Sequence, residues 1–397
     1  MKKWIIGIVA VIALALGITW FSMDKDMRAL ATNLPTDANV LFWSIPQRDA
    51  AFRTMDRLPV LAKANIIEAG EDVHPLPKGP PLAIEGVDAF MKAQRSAALI
   101  IVQDGKVRFE RYGLGFDSNG KWTSFSVAKS LTSTLVGAAI KDGYIKSIDD
   151  KVTDYIPEMK GSAYDDVSIR QLLTMSSGVR WNEDYEDPES DVALFNQHVP
   201  EEGMDVTVSY MRKLPRATPP GTKWVYNTGE TNLIGVLVSK ATNKPLSEYL
   251  SEKIWAAYGM EQDASWLLGS TGHEISGCCI QAATRDMARF GQFMLDGGMI
   301  GGKATLPDGW IAAATTKQAD IGNVERGYGY QWWTINDGSY HAQGIFGQGI
   351  FIDPKRRLVI ASNSNWPRAS DDKAGAARDT FYKRVQLAID AEGVGEQ

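Results

Sequence analysis

Strand-patterned sequence stands at both ends of the globular part of this chain, separated by roughly two hundred residues of helical pattern. Ala97–Val102 and Lys106–Tyr112 flank Asp104-Gly105, a dipeptide that favours the positive φ values of a tight hairpin. The strand pattern returns after about Gly301. There Tyr328–Ile335 and Tyr340–Phe346 flank the turn Asn336–Ser339, and Gln348–Pro354 precedes Arg357–Ser362. Between the two regions, Val167–Leu173, Val206–Leu214, Thr231–Ala241 and Leu246–Ala257 read as helices. Thr284–Leu295 is a further helix, with Thr284 as N-cap and Asp286 in its first turn. A closing helix spans Asp371–Asp390. The simplest assembly joins early and late strands into one antiparallel sheet with flanking helices. A mostly helical second lobe is inserted at about 140–300, with a cleft between the two. The expectation is an α+β fold.

The early hairpin leads directly into Ser124–Ile140. Val127, Leu131, Leu135 and Ala138 recur there at three- and four-residue steps, the period of a buried helical face. Ser126 opens this helix and Lys129 follows one turn later, on a neighbouring position of the same face. A serine hydroxyl becomes a nucleophile when something accepts its proton, and a desolvated lysine that has lost its charge does so. The helix N-terminus adds a positive dipole end for a developing oxyanion. Spacing alone equally describes a helix cap beside a solvated lysine, so partners elsewhere must decide.

The 397 residues carry a formal charge of -6, which gives no electrostatic reason to expect nucleic acid as a partner. Cys278 and Cys279 are adjacent and read as buried small apolar residues, because a bridge between neighbours is strained. His74, His198, His273 and His341 show no metal-ligand spacing, so no metal is expected. The acidic and aromatic run Trp181–Pro188 reads as an exposed loop, with a substrate entrance as the alternative.

At the N-terminus, Lys2 and Lys3 precede an uncharged, mostly apolar run from Trp4 to Phe21. Residues 1–23 read as an export signal or an uncleaved anchor in the inner membrane. The catalytic part is then expected on the periplasmic face, or secreted after cleavage. Residues 24–83 form a lead-in without evident chemistry, punctuated by Pro35, Pro46, Pro59, Pro75, Pro77, Pro80 and Pro81. Residues 84–397 form the main domain.

Three segments carry a resemblance. Ser126-Val127-Ala128-Lys129, Trp224–Gly229 with Tyr226 at its centre, and Ala342-Gln343-Gly344-Ile345 resemble, in order, the three motifs of the serine β-lactamase and penicillin-binding-protein superfamily. The class C-like serine hydrolase branch is the nearer match. Ser124–Ile156, Leu172–Gly178, Asn227–Gly235, Thr284–Gly291 and Gly344–Pro354 look most like its 6-aminohexanoate-dimer hydrolase subgroup. The resemblance implies a β-lactamase/transpeptidase-like fold and an acyl-enzyme on Ser126, with no cofactor. It implies that Lys129 takes or relays the serine proton and that Tyr226 serves the leaving group. The backbone N–H groups of Ser126 and Ile345 form the implied oxyanion hole. Thr228, His341 and Gly344 are the implied substrate-binding positions. Two departures bear on the substrate. Thr228 stands where the family commonly has asparagine, and Ala342 stands where it has lysine. That lysine helps hold the carboxylate of a β-lactam or peptide. Its absence favours a small ester or linear amide, with a β-lactamase or D,D-peptidase as the alternative. A catalytically silent binding protein is the reading outside enzymology.

Overall fold

The computed structural model describes residues 2–58 and 63–395, so Pro59 lies outside it. The strands in chain order are β1 (Ala64–Ile67), β2 (Ser96–Gln103), β3 (Lys106–Tyr112), β4 (Trp122–Thr123), β5 (Ala264–Leu267) and β6 (Ile280–Ala282). They continue as β7 (Met299–Ile300), β8 (Lys303–Ala304), β9 (Arg326–Tyr328), β10 (Trp333–Ile335), β11 (Tyr340–Gly344), β12 (Gln348–Asp353) and β13 (Leu358–Ser364). Early and late strands share one antiparallel sheet in the order β3-β2-β13-β12-β11-β10-β9. The junction is β2 against β13, where Ile101 faces Ile360 and Ile100 faces Ala361.

β2 is apolar without alternation because both faces of the sheet are covered. Ile100 and Val102 enter the core shared with helix Thr284–Leu295, and Leu99 and Ile101 enter the core under the closing helix Asp372–Gly395. Thr284 is the first residue of its helix and the extended Ala283 is the cap, while the Thr284 hydroxyl accepts from Asn363 at 2.7 Å. β7 and β8 form a separate two-stranded hairpin.

The inserted lobe is not purely helical. β5 and β6 pair with β1 and β4 into a second sheet, ordered β1-β5-β6-β4. Strands of two to four residues leave no alternation to read, with β4, β5 and β6 buried throughout and β1 buried only at Ile67. The lead-in is built into the same body. Leu30, Trp43, Phe52 and Met55 pack in one cluster with Trp122, Phe125 and Phe346. Arg48 is buried and donates to Asn365 at 2.8 Å and to the carbonyls of Trp43, Trp366 and Pro367. Helix Lys2–Ser22 is different in kind. Trp4–Ser22 is long and apolar enough to cross a membrane, and its side chains are almost all exposed.

At the centre lies helix Ala128–Lys141. The sequence period predicts one buried face, but every residue from Ala128 to Ala139 is buried. Four buried hydroxyls allow this, because each finds a carbonyl acceptor. Ser130 donates to Gln331, Thr132 to Ser276, Ser133 to Tyr330 and Thr134 to Ser130, at 2.7–2.8 Å.

Candidate active site

Ser126 sits at a strained corner. Phe125 turns the chain at φ 43°, a left-handed value that costs a bulky residue on the order of 1–3 kcal/mol. Ser126 follows in the single turn Phe125–Val127 that leads into the buried helix. Packing holds the corner in place. The Phe125 ring lies 5.0 Å from Phe52 and 5.5 Å from Phe346, and Phe346 is itself left-handed at φ 59°. Phe52, from the lead-in, also lies 5.4 Å from Phe346. One aromatic side chain therefore supports both the residue before the nucleophile and the residue after Ile345.

Gly344 brings the end of β11 against this corner. A Cβ at Gly344 would come within 2.6 Å of the Ser124 carbonyl oxygen, so only glycine permits the approach. Ile345 follows directly. Ala342 shares Gly344's face of the strand and enters the central core. His341 faces the opposite way. It is buried, packs edge-on to Phe351, and is hydrogen-bonded to Gln343, which also accepts from Arg378 of the closing helix. Burial pushes the His341 imidazole well down, and Arg378 and Arg326 add to that. The expected substrate role of His341 is thus not met. The two-residue period of a strand puts it on the far face from Ser126.

Lys129 is 1% exposed. Its Nζ donates to Thr228 Oγ1 at 2.9 Å and to the Gly277 carbonyl at 2.8 Å, and lies 5.3 Å from the centre of the Tyr226 ring. Burial pushes the ammonium down to about 8, and the Glu183 carboxylate pulls the other way. Gly277 is glycine for a steric reason: a Cβ there would come within 2.8 Å of Thr228 Cγ2 and 3.0 Å of Asn232 Oδ1. Asn232 accepts from the Gly277 N–H at 2.7 Å and so aims the carbonyl that Lys129 meets.

Tyr226 ends the loop before helix Thr228–Thr242, which Asn227 caps by accepting from the Glu230 N–H at 3.0 Å. Its ring stacks on Trp333 with centroids 5.6 Å apart. Burial and then Glu183 push the Tyr226 phenol well up, and the Ser126 hydroxyl beside it opposes them. A phenol so placed stays protonated and can give a proton to a leaving group.

Two residues of the site are not read as such from the sequence. The run Trp181–Pro188 is expected to be a solvated loop, yet Glu183 and Tyr185 turn into the cleft. Glu183 Oε1 accepts from the hydroxyls of Thr228 and Tyr185, and Oε2 accepts from Trp181 Nε1 and the Thr228 N–H. The alternation of acids with Trp181 and Tyr185 is the available signal, because aromatic residues rarely punctuate a purely solvated acidic loop. The cysteines are a second correction. Cys278 and Cys279 are bonded to each other, with Cys279 at φ 75°, and they join the apolar cluster that includes Phe125, Ile345 and Tyr185.

Fold and geometry together define a serine acyl-transfer site between an antiparallel sheet and a helical lobe. The Beta-lactamase family model matches residues 85–382, and the chain belongs to that family. Among its relatives is the 6-aminohexanoate-dimer hydrolase of Paenarthrobacter ureafaciens, 29% identical over 87% of this chain and 92% of that protein. A β-lactamase of Yersinia enterocolitica is 23% identical over 69% of this chain and 74% of its own length. A solved structure from Bacillus anthracis, provisionally named for the same dimer hydrolase activity, has a TM-score of 0.79 at 23% identity, covering 91% and 98% of the two chains. A family VIII carboxylesterase has a TM-score of 0.59 at 18% identity, covering 78% and 99%. The chain is a serine hydrolase of the β-lactamase-like type.

Proposed function

We propose that this serine hydrolase is exported and cleaves small ester or linear amide bonds through an acyl-enzyme on Ser126. The observation that carries this reading is the buried Lys129, one turn after Ser126 and beside Tyr226, with its Nζ held between Thr228 and Gly277. In the first step Ser126 Oγ attacks the substrate carbonyl carbon and its proton passes to Lys129 Nζ. The carbonyl oxygen, now negative, is met by the N–H groups of Ser126 and Ile345. Collapse of the tetrahedral intermediate breaks the bond to the leaving alcohol or amine, which takes a proton from Tyr226. Lys129 returns a proton to Tyr226, and water then hydrolyses the acyl-enzyme by the same path in reverse.

The third motif supports this substrate class. Ala342 offers no cation to a substrate carboxylate, and His341 and Arg378 lie on the far side of β11. A β-lactam or D,D-peptide would therefore lose a partner that a neutral ester or linear amide never needs. The 29%-identical dimer hydrolase and the carboxylesterase fold support the same class. Export rests on Trp4–Ser22, with the hydrolase domain on the periplasmic face or released after cleavage.

A fluorophosphonate probe should label the wild type and spare Ser126→Ala, and labelling of both would remove Ser126 from this role. On a panel of p-nitrophenyl esters, 6-aminohexanoate dimer, D-amino-acid amides and nitrocefin, esters or the linear dimer should be turned over fastest. Nitrocefin turnover at a comparable rate would reverse the ranking.

A further inference from the structure

Glu183 is joined to the catalytic lysine through a single hydroxyl. In its ammonium form Lys129 Nζ is a donor only, so Thr228 Oγ1 accepts from it and its one hydrogen goes elsewhere. That hydrogen goes to Glu183 Oε1. The other three donors on Glu183 are the Thr228 N–H at 2.9 Å, the Tyr185 hydroxyl at 2.7 Å and Trp181 Nε1. Four donors on two oxygens suit a carboxylate and not a carboxylic acid, which would have to donate.

We propose that Glu183 is a positioning residue for Lys129: its carboxylate, acting through the Thr228 hydroxyl, is the counter-charge that holds the lysine at the nucleophile and sets how readily it takes the serine proton. The inference rests on the reading of Lys129 as proton acceptor for Ser126.

The surroundings leave few other candidates for the counter-charge. The groups that face Lys129 are Tyr226, Thr228 and the Gly277 carbonyl, with Ser126 beside Tyr226, and none of them is an anion. Glu183 is the charged group that acts on the lysine, and it also acts on the Tyr185, Tyr226 and Tyr328 phenols. Burial by itself lowers a lysine toward a weak base, because the charged form loses its hydration. An anion two hydrogen bonds away offsets part of that loss and keeps the amine basic enough to pull a proton from serine. The same anion disfavours a Tyr226 phenolate, so one carboxylate assigns the base to Lys129 and the acid to Tyr226.

The test is the pH dependence of kcat/KM for p-nitrophenyl butyrate, paired with the rate of fluorophosphonate labelling. Lys129 works deprotonated, so activity rises with pH through its pKa. Removing the anion destabilises the ammonium form, and the acid limb of Glu183→Gln should move to lower pH by about 1–3 units. Thr228→Val, which breaks the bridge, should move the limb the same way by less. Glu183→Asp and Thr228→Ser keep the charge or the hydroxyl and should keep the wild-type limb position. An unmoved limb in folded Glu183→Gln overturns the proposal. Where Glu183→Gln does not fold, Thr228→Val decides by the same criterion. Labelling of Ser126→Ala would instead overturn the proposed function itself, so the two failures are distinguishable.

Discussion

Two glutamates flank the Tyr226 segment and are treated in opposite ways. Glu183 approaches from the Trp181–Pro188 loop and receives four hydrogen-bond donors. Glu230, in the first turn of helix Thr228–Thr242, is 1% exposed and has one long contact, 3.4 Å from the Tyr164 hydroxyl. Its Oε2 has no partner among the described residues. Burial pushes the Glu230 carboxyl up to about 8, with Ser177, Tyr164 and Arg216 opposing. The two differ in depth as well as in donors, because Glu183 is half-buried and Glu230 fully buried. Four donors hold the Glu183 carboxyl in place beside the Thr228 hydroxyl, whereas burial with few donors raises the Glu230 carboxyl.

The apolar support of the nucleophile gives the largest expected effect and a pH-independent reference for that comparison. Phe52→Ala, which removes a fully buried ring against Trp122, Phe125 and Phe346, should cost about 3–5 kcal/mol by urea melts, equally at pH 5 and pH 9. A cost below about 1 kcal/mol would return the lead-in to a dispensable role.

Glu230 should behave differently, because its effect depends on pH. Its folded pKa lies above the unfolded value, so its stabilising contribution is complete below about pH 4.5 and is lost as pH rises through about 8. On the order of 5 kcal/mol should disappear across that window in wild type, and Glu230→Gln should flatten the slope. Parallel stability curves for the two proteins would show that Glu230 is already ionised, and the contrast with Glu183 would fail.

Removing one of Glu183's four donors probes the other side. Tyr185→Phe deletes the 2.7 Å bond and should weaken the anion by about 1 kcal/mol, moving the acid limb by less than Glu183→Gln does. A shift as large as that of Glu183→Gln would mean that the four bonds act as one unit.

The smallest expected effect on catalysis belongs to His341. His341→Gln should leave kcat/KM for p-nitrophenyl butyrate within about twofold while lowering the melting temperature, because a buried hydrogen-bonded ring is lost on the face away from Ser126. A tenfold loss of activity without a loss of stability would put His341 back in the cleft.

Local features of the chain already contain much of this protein. The Asp104-Gly105 hairpin, the late strands and the helix after Ser126 are legible because tight turns and apolar periods are short-range properties. The order Ser126, Lys129, Tyr226, Gly344 is legible for a similar reason, since fixed spacing on known element types leaves a trace in one dimension. Other features exist only in three dimensions. The second sheet joins residues near 65, 122, 265 and 281, and its strands are too short to announce themselves. Phe52 supports a corner seventy residues downstream, because aromatic packing ignores chain distance. Which side of β11 faces the nucleophile separates Ala342 from His341, and only the register of the folded sheet decides it. The charge states of Lys129 and Glu230 depend on which partners and how much water surround each group, and those surroundings are assembled by tertiary structure alone.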